Sequence, residues 1–493
     1  MWIRAILVVV LVCLLILHIW KLLSVSKKYP PGPSILESAA QIMRYGFRVH
    51  PDLLAKLAKT HGKIFTLWGG TQRLVILSGF EAIKEGLIKN SEIFSRRPVT
   101  PFFKVVAKEK GIVFSNGHTW KQQRKFGIVT MRRLGLGKKG VQNQIEDEAL
   151  QLVEIFARTK GQPIDPSLPI VNSTTHVACA LVFGDRYSSD DEKFCKLTEA
   201  IQYNAEFGGT LFHLMYEIFP WLMKQIPWPY KKSFAYVDVL LSHAKKEIEK
   251  HRVEPPMEEP QDFIDYYLFQ IEKTKNDPTS TYDNENLVQC ISDFLSAGTD
   301  TTAKTLQWAL LLITTHPDIQ EKVHKELDDA FGSSQIIGYQ DRKKIPYTFA
   351  LLHEVMRYKC IVLSGNPRMS LQDITILGTF IPKGSIIVPD IHSVLSDPKI
   401  WETPEKFNPS HFLDKDGKFV DREELLLFGA GARLCIGKDL AKMELITFFS
   451  NLLRAFTFKL PEGVKEVSTE PVLGFTLTPQ PYKLCAIPRN SET

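Results

Sequence analysis

A helical pattern running from about Asn284 to Thr315 does most to restrict what this chain can fold into. Pro317 ends it, because proline has no amide hydrogen for the helix ladder and its ring crowds the preceding turn. Within the pattern, "ISDFLSAG" (291–298) and "LQWALLLI" (306–313) read as buried on either side of a short polar insert. Residues 140–357 are mostly helical in pattern as well. Strand signals are few: "KIFTLWGGTQRLVILSG" (63–79) alternates and turns at Gly69-Gly70, which predicts a β-hairpin, and "ITILGTFIPKGSIIV" (374–388) predicts further short strands. The expectation is a mainly α protein with small β-sheets. With no repeat and no long low-complexity linker in 493 residues, a single large domain is the simplest organisation.

The N-terminus adds a second constraint. From Ala5 to Trp20 the chain is apolar except for His18, and with Leu22 and Leu23 beyond Lys21 the stretch nears the length, about 20 residues, that a helix needs to cross a bilayer. Trp2 and Trp20 stand where interfacial aromatics belong, and no convincing small-residue cleavage site follows. Residues 1–23 are therefore expected to be a retained anchor. Lys21, Lys27 and Lys28 outweigh Arg4, which puts the remaining chain on the cytosolic side. Residues 24–33, ending in "YPPGP", form a proline-stiffened hinge, and the globular body occupies 34–493.

Seven cysteines, an odd number widely scattered without a CxxC pair, argue against a disulfide framework and a structural zinc site and for a reducing compartment. A formal charge of +6 is modest for this length and fits an acidic partner or a membrane surface. "GLGKKG" (135–140) matches the dinucleotide fingerprint GxGxxG letter for letter. That fingerprint works only between a strand and a helix inside a βαβ unit, and here Arg132, Arg133, Lys138 and Lys139 interrupt the plan with no second parallel strand following. A basic surface loop is the expectation, and no nucleic-acid partner is implied.

"FGAGARLCIG" (428–437) sets one cysteine among small residues. A thiolate can be nucleophile, redox partner or metal ligand, and each role needs its charge stabilised. Glycines 429, 431 and 437 allow a tight turn that aims peptide N–H groups at the sulfur of Cys435, Arg433 offers a cation, and Phe428 can screen the site from water. A cysteine hydrolase would need a histidine and an acid that could lie anywhere in the chain. The loop better suits a ligand presented to a large flat cofactor.

These residues resemble the haem-binding loop FxxGxRxC of the cytochrome P450 superfamily. Other motifs of that family follow in order: "WKQQR" (120–124) resembles its WxxxR, "GTDTT" (298–302) its oxygen-activating motif, "EVMR" (354–357) its ExxR pair, and "FNPSHF" (407–412) the segment that completes the ExxR network. With the anchor and "PPGP", the resemblance spans essentially the whole chain and is closest to the microsomal family-2 enzymes of animals. It implies haem b with Cys435 as axial thiolate, in a setting shaped by Phe428 and Gly437. It implies Asp300 and Thr301 as the groups delivering protons to dioxygen, on a helix that Gly298 lets approach a ligand, and Trp120, Arg124, Arg97, Arg368 and Arg433 as propionate partners. Glu354 and Arg357 share a helix face, and by resemblance join His411 in a structural scaffold. Phe114, Phe294, Ala297, Leu363 and Phe475 are implied to line a pocket for lipophilic substrates; at Leu363 this chain departs from the proline common in family 2.

The implied reaction inserts one atom of O2 into a fatty acid, steroid or xenobiotic. Electrons then come from an NADPH-dependent flavoprotein, NADPH-cytochrome P450 reductase, on the endoplasmic reticulum membrane, with cytochrome b5 as a candidate second donor. Lys121, Lys125, Arg132, Arg133, Lys138, Lys139, Lys438 and Lys442 are candidates for a basic docking face. The alternatives are a haem-thiolate isomerase or peroxygenase, and a non-catalytic haem- or lipid-binding membrane protein.

Overall fold

The computed structural model describes residues 28–45, 50–70, 72–134, 139–184, 187–226, 229–253, 259–331 and 336–489. The expected anchor and residues 135–138 of "GLGKKG" lie outside these. Among the described residues, no helix is long and apolar enough to cross a membrane.

The long helix spans Asn284–Thr315. Asp283, in extended conformation, caps it by accepting the N–H of Asn286 at 2.7 Å. At its other end Pro317 opens the next helix, Pro317–Phe331. Every residue from Thr302 to Thr314 is buried, so this half of the helix is enclosed on all sides. Helices Ser167–Phe183, Pro346–Tyr358 and Lys438–Ala455 pack against it. Their apolar faces join Leu306, Leu310 and Ile313 in one large core. Two polar groups caught in this core reach backbone carbonyls: the Trp308 indole donates to that of Leu477 (3.1 Å) and the Tyr482 hydroxyl to that of Gln307 (2.6 Å).

The chain divides into two compact units. The smaller takes its residues from Met1–Pro98, Ser364–Val394 and Ala430–Arg433. Its sheet runs in the order Ile64–Gly69, Gln72–Ser78, Ile386–Asp390, Arg368–Met369. The first two strands are the expected hairpin, with Ile64 opposite Leu77 and Gly69 opposite Gln72. The third joins in parallel, pairing Val75 with Ile387. The 374–388 segment supplies that third strand and a separate small hairpin, Ile374–Ile376 with Thr379–Ile381. Leu53, Leu54 and Leu57, on one face of helix Pro51–His61, pack against Phe65, Leu67, Ile76 and Val388 of the sheet.

The larger unit holds the remaining helices, a three-stranded sheet (Pro163–Ile164, Leu484–Pro488, Phe456–Lys459) and the hairpin Pro471–Leu473 with Leu477–Pro479. The "GIVT" that could pass for a strand before "GLGKKG" lies inside helix Gly117–Arg133, and a second helix, Lys139–Arg158, follows. A dinucleotide fold needs a strand there.

Candidate functional site

Cys435 stands just ahead of helix Lys438–Ala455. Its own N–H donates to the carbonyl of Phe428 at 2.9 Å, which closes the loop. The thiol keeps accessible surface although protein encloses it closely. That enclosure pushes its pKa up, while the N–H groups of Gly437 and Lys438 and the guanidinium of Arg124 pull it back. The two amides belong to the unpaired donors at a helix start, a setting that stabilises negative charge on sulfur.

The glycines divide the work. Gly431 has φ 65°, and a Cβ there would lie 1.7 Å from the carbonyl oxygen of Leu87, so only glycine fits. Gly437 has φ −89°, open to any residue, and a Cβ there would sit at an ordinary 3.9 Å from the Cys435 sulfur. What Gly437 supplies is its N–H.

The donor set suits a haem. Among the described residues, Cys435 belongs to no cluster of three metal-ligating side chains. A metal held through this sulfur must bring most of its coordination with it, as porphyrin iron does.

On the same unit, Trp120 is buried on helix Gly117–Arg133. One turn on, the Arg124 guanidinium donates to the carbonyl of Leu434 at 2.6 Å, beside the cysteine. Burial holds the Arg124 pKa below its usual value. In the smaller unit, Arg97, Arg368 and Arg433 are all buried. Arg97 donates to the carbonyls of Asn366 (2.7 Å) and Pro367 (2.9 Å), and Arg433 to that of Ser95 (2.8 Å). The Met369 N–H reaches the Arg96 carbonyl at 2.7 Å. These bonds bring the segments that carry Arg97, Arg368 and Arg433 beside one another in the smaller unit.

The long helix separates two residues expected to act together. Thr301 donates its hydroxyl to the carbonyl of Ala297 at 2.7 Å and shares the less buried face with Ala297 and Phe294. Asp300, one position away and thus about 100° around the helix, is buried elsewhere: its carboxylate meets Lys304 Nζ at 2.8 Å and accepts the Thr476 hydroxyl. Lys304 also donates to Thr476 at 2.8 Å. A cleft of about 210 Å³ lies on this side, with Gln202, Glu206 and Gln307 in its walls. Sequence reading missed Lys304, although its spacing of four from Asp300 was a readable signal, and Thr476, whose approach no local pattern announces. Gly298 also differs from expectation: the space before it is filled by Ala178 of helix Ser167–Phe183, 3.7 Å from where a Cβ would stand.

Glu354, Arg357 and His411 meet in one buried network. Arg357 donates from Nε and Nη2 to the two carboxylate oxygens of Glu354, both at 2.7 Å. Its remaining N–H groups reach the carbonyls of Leu395 (2.8 Å), Pro404 (2.9 Å) and Lys406 (3.0 Å). Glu354 also accepts the Asn408 N–H at 2.9 Å, and His411 Nδ1 lies 3.2 Å from both its oxygens.

Of the expected pocket residues, Phe114 and Phe475 come together through Phe103, at ring separations of 3.7 and 5.8 Å. Phe475 lies flat against Gly208, where a Cβ would fall 2.3 Å from its ring. His213, which sequence reading did not single out, stands among Phe102, Phe207 and Phe475. Ala297 is exposed, and Leu363 is half-buried in the stretch that the Leu477 N–H ties down at the Ile361 carbonyl. Phe294, half-buried, packs on Phe263 at 4.8 Å and borders a core.

Lys121, Lys125, Arg132 and Arg133 are exposed along helix Gly117–Arg133 and Lys438 is half-buried; Lys138 and the side chain of Lys139 lie outside the described residues. Lys442 is buried, with its pKa lowered by that burial, and is removed from any docking face.

The cytochrome P450 family model matches residues 30–486. Cytochrome P450 2C3 of Oryctolagus cuniculus is 38% identical over 477 residues, covering 97% of this chain and 97% of the relative. Cytochrome P450 2C23 of Rattus norvegicus is 36% identical over 484 residues (98% of each chain), and cytochrome P450 2J2 of Homo sapiens is 36% identical over 463 residues (94% of this chain, 92% of the relative).

Proposed function

The chain belongs to the cytochrome P450 family, whose cofactor is haem held by a thiolate, and from that premise we propose a membrane-anchored monooxygenase of lipophilic substrates with Cys435 as the ligand to iron. The observation that carries this reading is the Cys435 sulfur facing the Gly437 and Lys438 N–H groups at a helix start. Bound haem supplies a redox centre at which O2 is reduced, one atom entering the substrate and the other leaving as water.

The chain's own residues do the rest. The two amides and Arg124 stabilise the thiolate charge. Trp120, Arg124, Arg97, Arg368 and Arg433 would serve as donors for the propionates of bound haem. Thr301 holds its hydroxyl proton on the Ala297 carbonyl and releases it by rotating about its Cβ–Oγ1 bond. Asp300 acts at one remove, by orienting Lys304. Phe114 and Phe475 keep water from an apolar substrate. Electrons come from an NADPH-dependent flavoprotein reductase on the endoplasmic reticulum membrane, docking on the exposed lysines and arginines of helix Gly117–Arg133. The catalytic body (34–493) stands on the cytosolic side behind the anchor (1–23) and hinge (24–33). A haem-thiolate isomerase or peroxygenase gains one observation, the engagement of Asp300 by Lys304 away from Thr301.

The test is reconstituted turnover with reductase, NADPH and isotopically labelled O2 over fatty acids, steroids and drugs. One labelled oxygen atom per product molecule is expected, and Thr301→Ala should divert most reducing equivalents to peroxide while retaining haem. Turnover that needs no reductase would sink the monooxygenase reading, and unchanged coupling in Thr301→Ala would sink the proton role.

A further inference from the structure

A second cleft of the larger unit, with a volume of about 420 Å³, lies between helix Pro101–Val106 with the turn after it, helix Tyr230–Val253, and the first turns of the long helix. None of the residues assigned above to haem, proton transfer or the aromatic wall lines it. Its size is within the range of small-molecule sites. The floor is apolar, built from Val106, Leu241, Ile248 and Val288.

The charges on its rim do not cancel. Glu285 is paired with Lys110 at 3.2 Å, and Lys110 also meets Asp283 at 3.3 Å. Glu249 is paired with Arg252 at 3.6 Å. Glu249 thus has a cation beside it, and Glu285 shares Lys110 with Asp283. Lys108 and Lys245 are exposed, and among the described residues neither is ion-paired. The cleft therefore offers a greasy floor with Lys108 and Lys245 unpaired at its rim, where three lysines stand against two carboxylates among the lining residues.

Lys108 is held there at a cost. Lys108 (φ 48°) and Glu109 (φ 57°) are consecutive non-glycine residues in the left-handed region, followed by Gly111 at φ 74°. Such residues are strained and persist only where neighbours over-determine them. The long helix anchors the residues that follow this turn: Asn286 accepts the Gly111 N–H (3.1 Å), and Asp293 accepts those of Ile112 (2.7 Å) and Val113 (2.9 Å). A Cβ on Gly111 would lie 2.5 Å from the Asp293 carboxylate.

We propose that this cleft is a separate binding site for a single-chain anionic amphiphile, a long-chain fatty acid carboxylate, whose hydrocarbon lies on the floor and whose head group sits between Lys108 and Lys245. Each methylene laid on the floor leaves water for an apolar surface, and the lysines select the anion over a neutral lipophile of the same shape. The site owes nothing to haem or to the monooxygenase reading.

The test photolabels the haem-loaded full-length protein with palmitic acid bearing a diazirine near its methyl end and maps labelled peptides by mass spectrometry. Saturable label is expected within 241–249 and 284–289. Lys108→Glu combined with Lys245→Glu should raise the half-saturating concentration at least about tenfold, and Ile248→Trp, which fills the floor, should abolish label there. If Ile248→Trp does not fold, the exposed lysine pair decides alone. Equal cleft labelling by the methyl ester of the probe, or an unchanged concentration dependence in the lysine variant, would overturn the proposal. So would labelling seen only when the probe is embedded in phosphatidylcholine vesicles, which would mark a membrane contact.

Discussion

Glu354–Arg357 and Asp300–Lys304 are both buried ion pairs between residues one helical turn apart, and they are finished in different ways. Around the first, both carboxylate oxygens and both terminal nitrogens of the guanidinium have partners, three of them backbone carbonyls from 395–406. Around the second, a single hydroxyl, from Thr476, completes the set, and a polar cleft adjoins it. A saturated network fixes backbone segments and leaves little capacity for chemistry, whereas a pair beside a solvent-sized cleft can exchange partners. The first is scaffold, and the second is adaptable.

Removing Glu354 should have the largest effect. Glu354→Ala strands a buried guanidinium, and breaking such a pair costs about 3–5 kcal/mol. The urea midpoint should fall steeply and the yield of haem-loaded protein with it; a loss below about 1 kcal/mol would erase the contrast. Asp300→Asn should cost less, about 1–3 kcal/mol, because the cleft lets water reach Lys304. Adding Lys304→Met should recover most of that loss, and a double variant worse than Asp300→Asn alone would show that the pair is not the unit at work.

A third pair sharpens the comparison because it titrates. His251 Nε2 meets Asp262 at 2.8 Å and joins the end of helix Tyr230–Val253 to the start of helix Phe263–Lys273. The hydrogen bond to Asp262 pushes the imidazole pKa from 6.5 up to about 9. A folded pKa above the unfolded one stabilises fully below pH 6.5 and is lost as pH rises through about 9. After solvent screening the effect is about 1 kcal/mol. Urea midpoints measured from pH 6 to 10 should decline in the wild type by that much more than in His251→Gln; parallel curves would contradict it.

Features set by neighbours in sequence were legible. The long helix is legible from about Asn284 to Thr315 because its pattern runs unbroken until Pro317 ends it, and the 63–79 hairpin because alternation and paired glycines mark it. Spacing put Glu354 and Arg357 together, while His411 needed the family resemblance. What could not be read depended on distant partners. Thr476 reaches Asp300 from far along the chain, Ala178 takes the space before Gly298, and packing buries Lys442. Helical periodicity says which residues share a face, but not what that face will meet.

The most direct test of the account is the ferrous carbon monoxide spectrum of the purified protein and of Cys435→His. A thiolate opposite carbon monoxide gives a red-shifted Soret band, which the wild type should show and Cys435→His should lose while still holding haem. An unshifted band in the wild type, or a red-shifted band that survives in Cys435→His, would contradict Cys435 as the iron's ligand.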